Sequence, residues 1–478
     1  MRRATCLLCA TIVLGAVLRG QGPSAAPSPP RRDQAIEQLA ADAASVPPEF
    51  EADVLLRISQ LSKVDKEWRR ELLDTAYMRA YAAPEQHRRA TTREVPPDSR
   101  QGAQVLAYAT ALTRVTLQVR AVELMAFVEP RHARDMFEWI ELNLAPGVCA
   151  DPLVPSVDEY YTALGRIARL AYPGNPADSL NFFELYLWRA HLPSEMPAVA
   201  HAIQRFPRSL LTAPYLEGLL RLILLGSSND APGSASATLD IIAKMADLQI
   251  ADTAMGVTGS NVMDALRSYL LAQIKAPRCD DNAMVSITPS TFNAALRRAR
   301  AEFDVKRIDA DATKTVASSL GVARIDLYWQ TGDAGRLHDA AVRLRGPGAT
   351  AYPLRVRQSA EWRAQADRLL TDVDQWSGKS ERDERDYVYQ KAVLYTWMLD
   401  LIPAGELHTR AVRAFVEFLR RTETDVSRRM LWFAFVNRLL EMTRGPFRSE
   451  VLAAMEESHQ PVLSLYARLE RMAPERRP

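Results

Sequence analysis

The chain has 478 residues, of which 47% are hydrophobic and 25% are charged. These fractions are typical of globular proteins and exclude a disordered chain, a collagen and a protein with many membrane spans. The 60 basic and 58 acidic side chains give a formal net charge of +2. Because no strong overall field attracts polyanions, we expect no nucleic-acid partner.

The first 22 residues have the pattern of a secretory signal peptide. A basic start, Met1-Arg2-Arg3, precedes an apolar run over residues 6–18. A membrane span needs about 20 residues, so this run is too short to cross but suits the core of a signal peptide. We expect residues 1–22 to be cleaved, with an uncleaved N-terminal anchor as the alternative. The mature chain is predicted to have no stable membrane span and to be exported to the periplasm or beyond the cell.

Two of the four cysteines, Cys149 and Cys279, would remain after signal cleavage. Both lie in loop-like sequence with proline or aspartate nearby. An oxidising compartment favours pairing of two such residues, so we predict a Cys149–Cys279 disulfide, with two free thiols as the alternative. Without a nearby pair of histidines, two distant cysteines cannot form a structural zinc site.

Composition divides the rest of the chain into segments. Residues 23–32 are rich in proline and serine and predict a flexible leader. The stretch 226–237 is rich in glycine, serine and alanine and is the predicted linker loop. It would separate an N-terminal helical region, residues 33–225, from a C-terminal helical region, residues 238–472.

Apolar side chains recur at steps of three and four along nearly the whole chain, a spacing typical of amphipathic helices. The longest such face covers residues 104–128. The other predicted helices are 36–44, 51–61, 67–81, 133–144, 159–171, 180–191, 215–225, 238–249, 261–275, 292–303, 323–330, 336–344, 359–373, 387–401, 409–421, 427–442 and 451–469. Only 285–287 and 325–329 are candidate strands.

Short helices joined by short turns pack as successive antiparallel pairs. The number of predicted helices is too large for one simple bundle. We therefore predict an all-α fold, an irregular α-solenoid of antiparallel helical pairs, with an α/α toroid as the alternative.

One segment carries a family resemblance. The sequence from Tyr328 to Asp333, followed by Leu337 and Ala341, resembles the Y-x-x-x-G-D turn of tetratricopeptide repeats. The family has a small residue where this chain has Leu337. The resemblance covers about 30 residues and implies one helix-turn-helix unit within the solenoid.

Motifs that carry chemistry are mostly incomplete. The segment Gly378-Lys379-Ser380 ends like a phosphate loop, but Val373 occupies the position of the required first glycine. The histidines are scattered and lack metal-chelating spacing. We therefore assign no catalytic residue, cofactor or metal, and we regard an enzyme as the less favoured interpretation.

Three clusters of aromatic residues are the most suggestive feature. Rings at adjacent positions can anchor a peptide or a sugar in a groove, although a helix packed on two sides buries such rings as well. The clusters are Tyr160-Tyr161, then Phe182, Phe183, Tyr186 and Trp188, and finally Trp432, Phe433 and Phe435.

These observations favour an exported helical-repeat protein that binds a protein or peptide along a concave surface. The alternative is an α/α-toroid enzyme that cleaves carbohydrate. A hydrolase of that kind needs two carboxylates about 5–10 Å apart, here in an aromatic-lined funnel.

Overall fold

The computed structural model describes residues 32–91, 95–144, 153–190, 192, 195–206, 218–222, 224, 242–243, 245–247, 260–275, 286–314, 327–330, 332–346, 351–378, 384–422, 428–442 and 447–472. Within these residues nearly every element is a helix, which confirms the all-α class. The predicted signal peptide, the linker 226–237 and both Cys149 and Cys279 lie outside them. The division into 33–225 and 238–472 stays a prediction.

Most predicted helices are present, with ends shifted by a few residues. In chain order the helices are α1 (Gln34–Ala43), α2 (Pro48–Ile58), α3 (Lys66–Ala80), α4 (Arg100–Ala109), α5 (Arg114–Val128), α6 (Pro130–Glu138), α7 (Asp158–Ala171), α8 (Pro176–Leu187), α9 (Met196–Arg205), α10 (Ser260–Lys275), α11 (Thr288–Arg298), α12 (Gly332–Arg345), α13 (Leu354–Arg357), α14 (Ala360–Gln375), α15 (Glu384–Leu401), α16 (Glu406–Thr422), α17 (Arg429–Met442), α18 (Arg448–Glu457) and α19 (Pro461–Met472). Short 3-10 turns occupy Ala310–Thr313 and Tyr328–Gln330.

The single helix predicted over 104–128 is wrong, because the structure breaks it into α4 and α5. Ala111 at the break has a φ of 59°, in the left-handed region that ends a helix. The first backbone amides of α5 then donate to a neighbouring loop, from Arg114 to the Glu85 carbonyl at 2.6 Å and from Val115 to Gln86 at 3.0 Å. Apolar spacing continues across the break, so periodicity alone does not reveal it.

The helix predicted over 451–469 is likewise divided, into α18 and α19. His459 has a φ of 54°, and Pro461 opens the next helix. Proline lacks the amide hydrogen that the interior of a helix uses, so it favours this first position.

A small antiparallel sheet pairs Arg89–Thr91 with Leu153–Pro155, which the sequence did not predict. Neither candidate strand is found in the described part of the chain. Ile287 lies at the N-cap of α11, and Leu327 makes a single bridge to Ser99. Segments this short gain their pairing from tertiary contacts rather than from their own pattern.

The helices follow one another around a continuous apolar core. In the first half α2 packs on α3, α3 on α5, α5 on α6 and α7, and α7 on α8 and α9. In the second half α12 packs on α14 and α15, and α15 on α16. This succession of neighbours is the contact pattern of helical pairs.

The two ends of the helical array meet. Helix α19 packs against α1 and α2, and α17 packs against α4. The Phe50 ring of α2 lies 5.1 Å from Phe433 and 6.0 Å from Trp432 of α17, measured between ring centroids. In an open solenoid each repeat contacts only its neighbours, so this contact departs from an open-ended array.

No helix in the described part is both long enough and apolar enough to cross a membrane. Arg32, the last residue of the predicted leader, is also in contact with the fold. Its guanidinium lies 2.7 Å from a Glu71 carboxylate oxygen and 5.1 Å from the centre of the Trp68 ring.

Candidate functional site

A half-open cavity of about 370 Å³ lies where α15 and α17 meet the loop before α4. Its walls are mostly apolar and aromatic, formed by Leu106, Trp329, Tyr389, Trp397 and Phe435. Polar groups are few. This size and lining are those of a small-ligand or side-chain pocket in proteins.

Helical spacing explains why these side chains converge. On α15, Tyr389, Val393 and Trp397 follow one another at four-residue steps and therefore lie on one face. On α17, Phe435 and Arg438 are three residues apart and also share a face. The two faces meet at the cavity because α17 packs on both α15 and α4.

The loop that closes one side of the cavity is tied down by hydrogen bonds. The Tyr389 hydroxyl donates to the Pro97 carbonyl at 2.6 Å. The Tyr328 amide donates to the Asp98 carbonyl at 3.0 Å. At the N-cap of α4, the Ser99 hydroxyl donates to Pro96 at 2.6 Å and accepts from the Gly102 amide at 3.0 Å. This wall is therefore preformed.

A substitution at Gly102 tests directly whether the loop of this wall is held in place. A Cβ at Gly102 would lie 2.4 Å from the Pro96 carbonyl oxygen and 2.6 Å from that of Pro97. Because both contacts are backbone atoms, we expect Gly102→Ala to displace the loop and lower the free energy of unfolding by about 1–3 kcal/mol. Urea unfolding followed by tryptophan fluorescence measures the loss.

The matched control is Gly165→Ala in α7. The nearest atom to its added Cβ would be on the Phe183 ring at 3.7 Å, an ordinary contact. Alanine also favours a helix over glycine, so this variant should be as stable as the wild type or slightly more stable. Equal stability of the two variants would contradict the steric argument.

The cavity rings belong to a larger aromatic cluster. The His338 ring stacks on Trp329 at 4.7 Å and lies 5.3 Å from Trp397. Tyr389 stacks on Tyr328 at 4.5 Å. Rings that contact one another in this way are held in place.

Charges of both signs lie at the cavity. Arg438 donates to Glu441 at 2.8 Å and to Asp400 at 2.6 Å. The hydrogen bond to Glu441, and to a lesser extent the one to Asp400, raises the pKa of Arg438 above its usual value. The half-buried Asp98 carboxylate has no hydrogen bond or ion pair with any described residue. Burial, and secondly the charge of Asp98, raise the pKa of Tyr389 to about 12.

Lys391 is a buried cation on the opposite side of α15. Its ammonium donates to the Trp376 carbonyl at 2.7 Å and to the Asp374 carbonyl at 2.9 Å. Burial lowers its pKa to about 8. The ammonium binds the carbonyls at the end of α14, a position that favours a cation, so its role is structural.

Most of the predicted aromatic clusters are core. The rings that are buried in the structure are Tyr160, Tyr161, Phe182, Phe183, Tyr186, Trp432, Phe433 and Phe435. Phe435 alone of the three clusters lines the cavity. Trp188 is exposed, with the Arg221 guanidinium 4.1 Å from its ring centre.

Sequence reasoning missed the main cavity residues but came close to one. Trp329 lies in the motif that resembles a tetratricopeptide turn. There, Tyr328–Gln330 form a 3-10 turn, Gly332 has a φ of 72°, and Leu337 is fully buried. The helix that the resemblance implies before this turn would fall in 315–326, outside the described residues.

Metal binding has no visible basis in the described residues, where no three or more histidine, cysteine, aspartate or glutamate side chains are grouped to hold an ion.

The fold and the cavity define an all-helical protein with a preformed aromatic site. No protein-family model matches this chain, and no curated protein or solved structure matches it. A function must therefore be argued from the cavity itself.

Proposed function

We propose that this protein is exported and binds a peptide segment of a partner protein, with one side chain of that segment held in the aromatic cavity. The observation that carries the proposal is the wall formed by Trp329, Tyr389 and Trp397. Rigid aromatic pockets with few polar groups are the usual anchor points of protein–protein contacts. Export is supported by the signal-peptide pattern of residues 1–22.

The polar groups of the cavity favour binding over catalysis. The Thr396 hydroxyl donates to the Val393 carbonyl at 2.8 Å, within its own helix. The Glu441 carboxylate is bound to Arg438. A hydroxyl nucleophile is activated by a neighbouring base, whereas Thr396 donates to a backbone carbonyl and Glu441 is paired with a guanidinium.

Carbohydrate cleavage is the second candidate, and one observation favours it. Two carboxylates, Asp98 and Glu441, line the same aromatic cavity. Glycosidases use a pair of carboxylates on either side of the scissile bond. If this candidate is correct, the protein hydrolyses a polysaccharide and Asp98→Asn abolishes the hydrolysis.

The test of peptide binding is selection from a library of random displayed peptides, followed by affinity measurement on purified protein. We expect the wild type to enrich peptides, and Trp397→Ala to weaken their binding by about tenfold or more, as for a central anchor residue. Trp139 provides the matched control, because its ring is 72% exposed and lies outside the cavity. Trp139→Ala should bind these peptides as the wild type does.

Two results would overturn the proposal. The first is that no peptide is enriched by the wild type. The second is that Trp397→Ala, with an unchanged circular dichroism spectrum, binds the enriched peptides as tightly as the wild type. Hydrolysis of envelope polysaccharides that depends on Asp98 would replace it with the carbohydrate candidate.

A further inference from the structure

We infer that the side chain held in the cavity is basic, a lysine or an arginine of the partner. This inference rests on the proposed function and adds the chemical class of the ligand. It follows from the charges along the cavity lining, from the aromatic rings of the wall and from the ion pairs of Arg438.

The charge balance at the cavity is negative. Three carboxylates, Asp98, Asp400 and Glu441, lie on or beside its lining, and among the described lining residues Arg438 alone carries a guanidinium. Because Arg438 is bound to Asp400 and to Glu441, its charge is compensated. The Asp98 carboxylate is without an ionic partner among the described residues. An incoming cation would give the Asp98 carboxylate an ionic partner.

The walls suit the rest of a long basic side chain. Lysine and arginine bury an apolar stem and keep a charged end at the polar edge of a site. The faces of tryptophan and tyrosine attract a cation placed within about 6 Å of the ring centre. Trp329 and Trp397 both line the cavity with ring centres 6.3 Å apart, so one long side chain in the cavity is within reach of both rings.

Other side chains fit less well. A carboxylate would face Asp98, and Arg438, the cation of the described lining, already donates to carboxylates through both terminal nitrogens. A purely apolar side chain would cover Asp98 and remove its hydration without offering a donor, which costs binding free energy. Charge complementarity therefore selects the basic class.

The experiment uses three pools of fluorescent peptides that differ at one central position, which is lysine, norleucine or glutamate. Every other position is drawn from uncharged residues. Norleucine matches the length of the lysine stem but lacks its charge. We expect the full-length protein to bind the lysine pool about tenfold more tightly than the norleucine pool, as fluorescence anisotropy measures it. The glutamate pool should bind most weakly.

Asp98→Asn isolates the charge, because asparagine keeps the shape of the side chain. This variant should lose most of the preference for lysine over norleucine, because it binds the lysine pool more weakly and the norleucine pool at least as tightly as the wild type does. Asp304→Asn removes the same charge from an exposed loop residue outside the cavity and should keep the full preference. Higher ionic strength should reduce the preference in the wild type.

The outcomes separate this inference from the proposed function. One outcome is that the norleucine or glutamate pool binds as tightly as the lysine pool while Trp397→Ala weakens the binding of every pool that the wild type binds. In that case the basic class is wrong and peptide binding stands. If Trp397→Ala changes the binding of no pool, both are overturned. A wild-type dimer that Trp397→Ala dissociates would make a second copy of this chain the occupant and overturn the inference.

Discussion

Replacing Asp53 with asparagine is expected to lower the free energy of unfolding by about 3 kcal/mol. Asp53 is 1% exposed in α2, and its carboxylate joins three other side chains. Arg57 and Arg120 each approach it at 2.8 Å, and the Tyr466 hydroxyl of α19 donates to it at 2.6 Å. Removing the charge would leave two arginines facing each other without their shared counterion. Because both arginines are about one-third exposed, the lower end of the range for a broken buried ion pair applies.

The stability lost in Asp53→Asn depends on pH, and the ion pairs around Asp53 determine the direction of that dependence. Burial alone would raise the pKa of Asp53, but the charges of Arg57 and Arg120 and the Tyr466 hydroxyl together hold it below the ordinary value of 3.8. A carboxyl with a depressed pKa stabilises the fold above its unfolded value, and that contribution is lost as pH falls through the folded value. The difference between wild type and Asp53→Asn should thus be full at about pH 7 and shrink below about pH 4. Urea unfolding at both pH values measures it.

Two further variants control this result. Tyr466→Phe removes one hydrogen bond and leaves the charges, so its cost should be smaller, about 1–2 kcal/mol. Asp304→Asn changes an exposed aspartate and should be neutral within about 0.5 kcal/mol. A difference between wild type and Asp53→Asn that grows as the pH falls below about 4 would contradict the assigned sign.

The same carboxylate illustrates what a sequence can and cannot predict. Apolar spacing predicts α2, and a four-residue step such as that from Asp53 to Arg57 is the ordinary spacing of a solvated ion pair on a helix surface. In the structure this face is covered by Tyr466, which follows 413 positions later. Local periodicity holds no information about such a distant partner. The helix is therefore predictable and the burial of its charge is not.

The cavity escaped prediction for a related reason. Its lining runs from Pro97 to Glu441, and each contributing segment alone reads as an ordinary apolar helix face or a turn. The stripe of Tyr389, Val393 and Trp397 could equally be buried in the core. Its role depends on where the loop before α4 is held, and long-range hydrogen bonds such as Tyr389 to Pro97 decide that.

The helix ends show the limit at a smaller scale. Pro461 marks a helix start that is visible in the sequence, although apolar spacing on both sides suggested one helix. The break at Ala111 has no such marker. It is stabilised by amides that donate to Glu85 and Gln86, so tertiary contact overrides the local pattern there.

Substituting Phe50 with alanine is expected to cost about 3–5 kcal/mol, the range for removing a large buried ring. Phe50 is completely buried and lies on α2, where the first helices of the array meet the last ones through α17. Its ring contacts Trp432 edge to face and Phe433 at a tilt, and Phe433 in turn contacts Tyr466 of α19 at 4.7 Å. The void left by alanine would therefore open where the two ends of the helical array are in contact.

Because Phe50 lies in this contact, the slope of the urea unfolding curve of Phe50→Ala is as informative as its midpoint. If the contact between the ends is part of one cooperative unit, Phe50→Ala should shift the whole urea transition without changing its slope. The control is Phe303→Ala, because that ring is 92% exposed and its removal should change stability by less than about 0.5 kcal/mol. A separate early transition in Phe50→Ala would contradict a shared core between the ends. Because α17 carries both Phe433 of this contact and Phe435 of the cavity wall, loosening the ends should also weaken peptide binding.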